Sequence, residues 1–163
     1  MKRSANRIQF NGYLYRLADG DMGVIDDLRV LQADHMVFYQ KLRNFHWNVS
    51  GDLFYELHKK FNELYDAAAT DVDDLAERVR QMGGEPLRTM QDALSAARLQ
   101  EDPEAPEDME MASRVLADLE FLGKSMQDVV ARLQNDAATR NLLEEKIQAG
   151  EKAAWMLRQF LGH

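Results

Sequence analysis

From residue 23 onward, apolar positions return at steps of three and four, the period of a helix with one buried face. Val24, Leu28, Leu31, His35, Phe38, Leu42 and Phe45 make the first such stripe and predict a helix over roughly 23–49. Ser50-Gly51-Asp52 then signals a turn, with Asp52 expected as the N-cap of a second helix. That helix spans about 53–82, on a stripe of Phe54, Leu57, Phe61, Leu64, Ala68, Val72, Leu75, Val79 and Met82. Gly83-Gly84 with Pro86 just beyond is the punctuation of a helix C-terminus. Thr89 to Arg98 has room for a short helix, whereas 99–107, with Pro103, Pro106 and four acids, reads as loop. Two more stripes predict helices over about 107–134 and 137–161, the latter capped by Asp136. No strand pattern competes.

Short links after the first and third long helices imply two antiparallel hairpins. The connection of roughly 25 residues between them is long enough to recross a bundle. The pattern therefore predicts an all-α chain: an N-terminal tail over 1–22, then one domain over 23–163, a four-helix bundle with one long crossover.

Composition narrows the chemistry. With no cysteine, disulfides, thiolate zinc sites and a thiol nucleophile are excluded together, and any metal is left to His, Asp and Glu. No window approaches eighteen apolar residues, and the N-terminus lacks the apolar core of a signal peptide, so a cytoplasmic protein without membrane contact is expected. The net charge is −8. Residues 1–20 carry Lys2, Arg3, Arg7 and Arg16 against Asp19, a net +3, which leaves −11 on the remainder. A basic arm on an acidic body predicts DNA binding that is weak and salt-sensitive.

His46 and His58 lie twelve residues apart on either side of the turn, and hence on different helices. Along the second helix His58, Asn62, Asp66, Asp73 and Glu77 follow steps of four, four, seven and four, forming a polar stripe beside the apolar one. Spacing alone favours a solvated face for the acids and a packed role for a lone histidine. The two histidines together with the Asp73-x-x-x-Glu77 pair shift the balance to a site for iron, manganese or zinc. Glu-x-x-His pairs, which build di-iron sites inside other bundles, are missing, so an internal site is disfavoured. His35, on the core stripe and about 16 Å from His46 by helical rise, reads as a structural or interface histidine.

The run Lys41-Leu-Arg-Asn-Phe-His46-Trp-Asn-Val-Ser-Gly51, then Leu57-His58, then Asp73-Asp-Leu-Ala-Glu77-Arg78 ending in Met82-Gly-Gly84, resembles the Dps family, the mini-ferritins or DNA-binding proteins from starved cells. Glu151-Lys-Ala-Ala-Trp155-Met-Leu157 is similar to that family's last helix. The resemblance implies a ferritin-like bundle with a short helix in its crossover, and twelve subunits closing into a hollow shell. It also implies a ferroxidase site between two subunits, with His46 and His58 from one and Asp73 and Glu77 from the other. Iron(II) would be oxidised there with hydrogen peroxide or oxygen and stored as ferric mineral, protecting the cell and its DNA. Trp47, beside His46, is expected to fill the subunit interface. Asp136, Glu144, Glu145 and Glu151 are loose candidates for acidic ion pores.

One position departs from the family pattern. Four residues after the second histidine the family has Asp or Glu, and this chain has Asn62, a weaker neutral ligand, which puts the second of two iron positions in doubt. Glu63 lies about 100° round the helix and is a poor substitute, while Asp66 is one turn on. The alternative is a non-enzymatic DNA-binding or protective shell with a weakened metal site.

Overall fold

The computed structural model describes residues 7–10, 13–16 and 23–162. Its elements are β1 (Arg7–Phe10), β2 (Tyr13–Arg16), α1 (Val24–Asn48), α2 (Phe54–Gln81), α3 (Met90–Ala96), α4 (Asp108–Arg132) and α5 (Ala137–Leu161). The four long helices and the short one in the crossover lie where the sequence places them, within two residues at each end.

The N-terminal segment differs from the expected plain tail. β1 and β2 pair antiparallel, with Ile8 opposite Tyr15 and Phe10 opposite Tyr13. The sequence between the two strands is Asn11-Gly12, a pair favoured where strands are joined by two residues. The expected DNA contacts of the arm rest on side chains outside the described residues.

Ion pairs fix the directions of the long helices. α1 runs antiparallel to α4, joined by Arg132 to Asp27 at 2.8 Å near one end and Lys41 to Asp118 at 2.6 Å toward the other. α5 runs antiparallel to α4 through Arg158 to Glu120 at 2.6 Å and Gln127 to Glu151 at 3.2 Å. Between these helices Leu28, Leu31, Leu42 and Phe45 of α1 and Leu57, Phe61, Leu75 and Val79 of α2 are at most 1% exposed. Each such side chain stabilises the fold by about 1.5–3 kcal/mol relative to exposure.

Polar side chains of α1 hold the crossover in chain order. Arg29 donates to the Glu85 carbonyl (2.6 Å), and Gln32 accepts from the Leu87 N–H (3.0 Å). Asp34, fully buried, takes the N–H groups of Arg98 (2.6 Å) and Leu99 (3.0 Å) and the Arg98 guanidinium. Asn44 donates to the carbonyls of Asp102 and Glu104. The connection thus climbs the whole length of α1. α3 starts with the Thr89–Asp92 capping box and ends at Ala96, two residues short of the expected limit, because Asp34 draws off the next backbone donors.

Candidate metal centre

α1 and α2 meet at a tight link whose Gly51 has φ +99°, a conformation that costs a side chain but not glycine. The Phe54 N–H closes on the Gly51 carbonyl at 3.2 Å, and Leu53 takes the N-cap position without a side-chain cap. Asp52 therefore does not cap α2 as expected, since the turn's own backbone supplies the acceptor. The link sets His46, in the last turn of α1, opposite His58, near the start of α2.

Both imidazoles are half-buried and stacked, with ring centroids 3.7 Å apart and planes 21° from parallel. His46 Nδ1 lies 2.8 Å from the His58 carbonyl, and His58 Nδ1 lies 2.8 Å from the His46 carbonyl. A carbonyl oxygen only accepts, so both Nδ1 atoms carry the hydrogen, and in the neutral ring the Nε2 atom is the one with the lone pair. Such a bond on the far nitrogen fixes the ring and raises the basicity of the ligating one. Phe54 stacks on His58 at 4.9 Å, and Phe45 and Phe61, both fully buried, meet each other across α1 and α2 at 6.0 Å.

Tyr65 was not singled out by spacing. Its ring meets His46 edge to face at 5.2 Å and Tyr39 at 6.0 Å, and its hydroxyl donates to Asn62 Oδ1 at 2.6 Å. The other end of that amide donates to Asp66 at 2.8 Å. His46, Tyr65, Asn62 and Asp66 thus form one connected series. Arg43 lies over the rings of Trp47, Tyr39 and Tyr65 at 4.9, 5.4 and 5.5 Å, a cation in an aromatic surround one turn before His46. Glu63 is exposed and tied to Lys60 at 2.7 Å, whose hydrogen bond and charge hold its carboxyl below the usual range.

Asp73 and Glu77 are exposed on α2, one turn apart. They stand fifteen and nineteen residues beyond His58, or roughly 22 and 28 Å by helical rise. The chain therefore brings His46 and His58 together, links Asn62 to His46 through the Tyr65 ring, and does not bring Asp73 or Glu77 to them. Among the described residues, no three His, Asp or Glu side chains converge on one point that would hold an ion.

The bundle interior is occupied differently. His35 is 3% exposed, donates from Nδ1 to the Leu31 carbonyl at 2.8 Å and lies 3.7 Å from Asp71, a structural role within the chain. Lys146, buried on the inner face of α5, reaches Asp71 at 2.7 Å and Asp74 at 2.6 Å. Burial opposes its charge, but those two carboxylates prevail and hold its pKa above the ordinary lysine value. Among the pore candidates, Asp136 caps α5 by accepting from Thr139 and pairs with Arg78, while Glu144 faces Arg140 at 3.7 Å. Glu151 accepts from Gln127, and Glu145 is exposed.

Comparison with known proteins is consistent along the whole bundle. The ferritin-like domain family matches residues 25–163. The DNA protection during starvation protein 2 of Bacillus anthracis is 39% identical over 142 residues, covering 85% of this chain and 96% of that protein. The crystal structure of a Dps protein from Bacillus brevis is similar with a TM-score of 0.82 at 38% identity, over 85% of this chain and 94% of that one. The Dps protein of Vibrio cholerae O1, described as belonging to a broad superfamily of ferritin-like diiron-carboxylate proteins, gives a TM-score of 0.81 at 30% identity, over 85% and 88% of the two chains. No described helix is long and apolar enough to cross a membrane.

Proposed function

Since the chain belongs to the Dps branch of the ferritin-like family, we propose that it is a ferroxidase and iron store whose metal site is completed only between two subunits of a hollow twelve-subunit shell. The observation that carries this reading is the reciprocal histidine pair, which presents two lone-pair nitrogens at fixed orientation on a half-buried surface. Asp73 and Glu77, exposed and too far along α2 to serve the same pair, are the carboxylates that a partner's antiparallel α2 would present to it.

Iron is the substrate. Imidazole and carboxylate suit iron, and the hard carboxylates of Asp73 and Glu77 favour iron(III) over iron(II), drawing the oxidation forward. Two iron(II) ions each give up one electron; one hydrogen peroxide takes both with two protons, its O–O bond breaks, and two waters leave. Because the peroxide is reduced by two electrons, no hydroxyl radical is released. The mineral then collects inside the shell.

The test is anaerobic titration with iron(II), counting ions per subunit, followed by one addition of peroxide. The proposal expects saturable binding and two iron(II) consumed per peroxide. Binding without oxidation would favour the second reading, a protective shell with a merely structural metal site, to which the neutral Asn62 lends support. DNA binding by this chain is expected to be weak, since the acidic body opposes the arm. A gel-shift complex should be lost by about 200 mM salt, because few phosphates are neutralised per contact.

A further inference from the structure

Asn62 departs from the acid expected at its position, and its surroundings explain how the site works without one. Asp66, as a carboxylate, only accepts, so the atom facing it at 2.8 Å is the amide nitrogen of Asn62. The amide oxygen is thereby turned to the Tyr65 hydroxyl at 2.6 Å, on the ring that abuts His46 at 5.2 Å. An amide oxygen has two lone pairs, and Tyr65 takes one. The other stays available to a metal ion. Withdrawal of the amide hydrogen by a carboxylate pushes electron density toward the oxygen, as second partners do for ligating side chains.

We propose that Asp66 is a positioning residue that makes Asn62 a usable oxygen ligand, the Asn62–Asp66 pair together taking the place of one carboxylate at the second metal position. The inference rests on the proposed metal site and adds to it the reason that an amide serves there. Asp66 itself stands two helical turns beyond His58, about 12 Å by rise, so its effect passes through Asn62 and not through direct ligation. Negative charge is retained near the site but held one bond further from the ion. Tyr65 keeps the amide from swinging out by joining it to the ring against His46. Without this network an exposed Asp66 and a half-buried Asn62 would be unremarkable neighbours on a helix surface.

The charge arrangement predicts an interaction between two substitutions that a purely structural pair would not give. Cobalt(II), counted by equilibrium dialysis of the intact shell and followed by its visible absorption, reports both metal positions without turnover. Asp66→Ala should leave the tighter ion in place and weaken the looser one by about tenfold, the usual cost of losing a ligand's supporting partner. Asn62→Asp in the otherwise unchanged chain should gain little, because it sets two carboxylates side by side. In the Asp66→Ala background the same Asn62→Asp change should restore the looser ion. An Asp66→Ala shell whose second affinity is within about twofold of the unchanged one, or an Asn62→Asp effect that is equal in both backgrounds, would overturn the proposal. An unchanged shell that takes up no cobalt(II) would instead refute the metal site on which the inference stands.

Discussion

His46 and His58 hold each other: the rings stack at 3.7 Å and each gives its Nδ1 hydrogen to the other's backbone carbonyl at 2.8 Å. The pair is therefore a junction between α1 and α2 and, in the proposed function, a preset half of the metal site. Each substitution to alanine should cost about 1 kcal/mol in stability, the net worth of one hydrogen bond, and the double substitution should cost less than the sum because the stack is shared. Denaturant unfolding of the single and double variants checks this. Metal uptake should fall far more than stability does.

Asp136 makes a pH-dependent contribution at the other end of the bundle. Hydrogen bonds from the Thr139 side chain and backbone, and then the nearby Arg78 charge, hold its carboxyl below the ordinary value. A depressed carboxylate stabilises the fold above the unfolded value of about 3.9 and loses that contribution as pH falls through the lower folded value. Asp136→Ala should destabilise by about 1 kcal/mol at neutral pH, as loss of an N-cap does. The gap between variant and unchanged chain should narrow between neutral pH and a pH below the ordinary carboxylate range. Unfolding at the two pH values measures it.

Gly83 and Gly84 end α2 for different reasons. Gly83 has φ +81° with open space around it, so Gly83→Ala should cost about 1 kcal/mol through backbone strain. At Gly84 an added Cβ would lie 2.8 Å from Ile25 Cγ2 and 3.0 Å from Val79 Cγ1, so Gly84→Ala should cost about 1–3 kcal/mol through overpacking where the crossover leaves α2. In the double variant Gly84→Ala with Ile25→Ala, the cost assigned to contact should shrink. Thermal unfolding of the three variants separates the two causes.

The long helices were legible because each carries a 3.6-residue apolar repeat over six or more turns, which local exceptions cannot mask. Their ends were less so. α2 begins at Phe54 on a backbone cap that Asp52 does not provide, and α3 stops where the buried Asp34, sixty-four residues away from Arg98, takes its donors. The pairing of β1 and β2 is not expected from the sequence pattern, because four-residue strands offer too short a repeat to stand out against a charged terminus.

In the sequence the histidines stand out by flanking a turn and the Asp73-x-x-x-Glu77 pair stands out beside them, but that spacing also suits a solvated face, and only the resemblance assigns the two acids to a partner subunit. Nothing in the spacing singles out Tyr65, because its contacts depend on a ring from α1 and on one hydroxyl bond. Lys146 escaped notice for the same reason: its partners, Asp71 and Asp74, belong to a helix that only folding brings near.

The central claim is that His46 and His58 of one subunit work with Asp73 and Glu77 of another. Shells assembled from His46→Ala/His58→Ala chains alone, or from Asp73→Ala/Glu77→Ala chains alone, should not oxidise iron with peroxide. Unfolding the two variants together and reassembling them as a mixture pairs intact histidines with intact carboxylates in some interfaces. With equal amounts and random pairing, about a quarter of the sites regain both halves. The mixed shells should recover about that fraction of the unchanged chain's peroxide-driven iron(II) oxidation. Mixed shells of the same size with no more activity than either parent would contradict it.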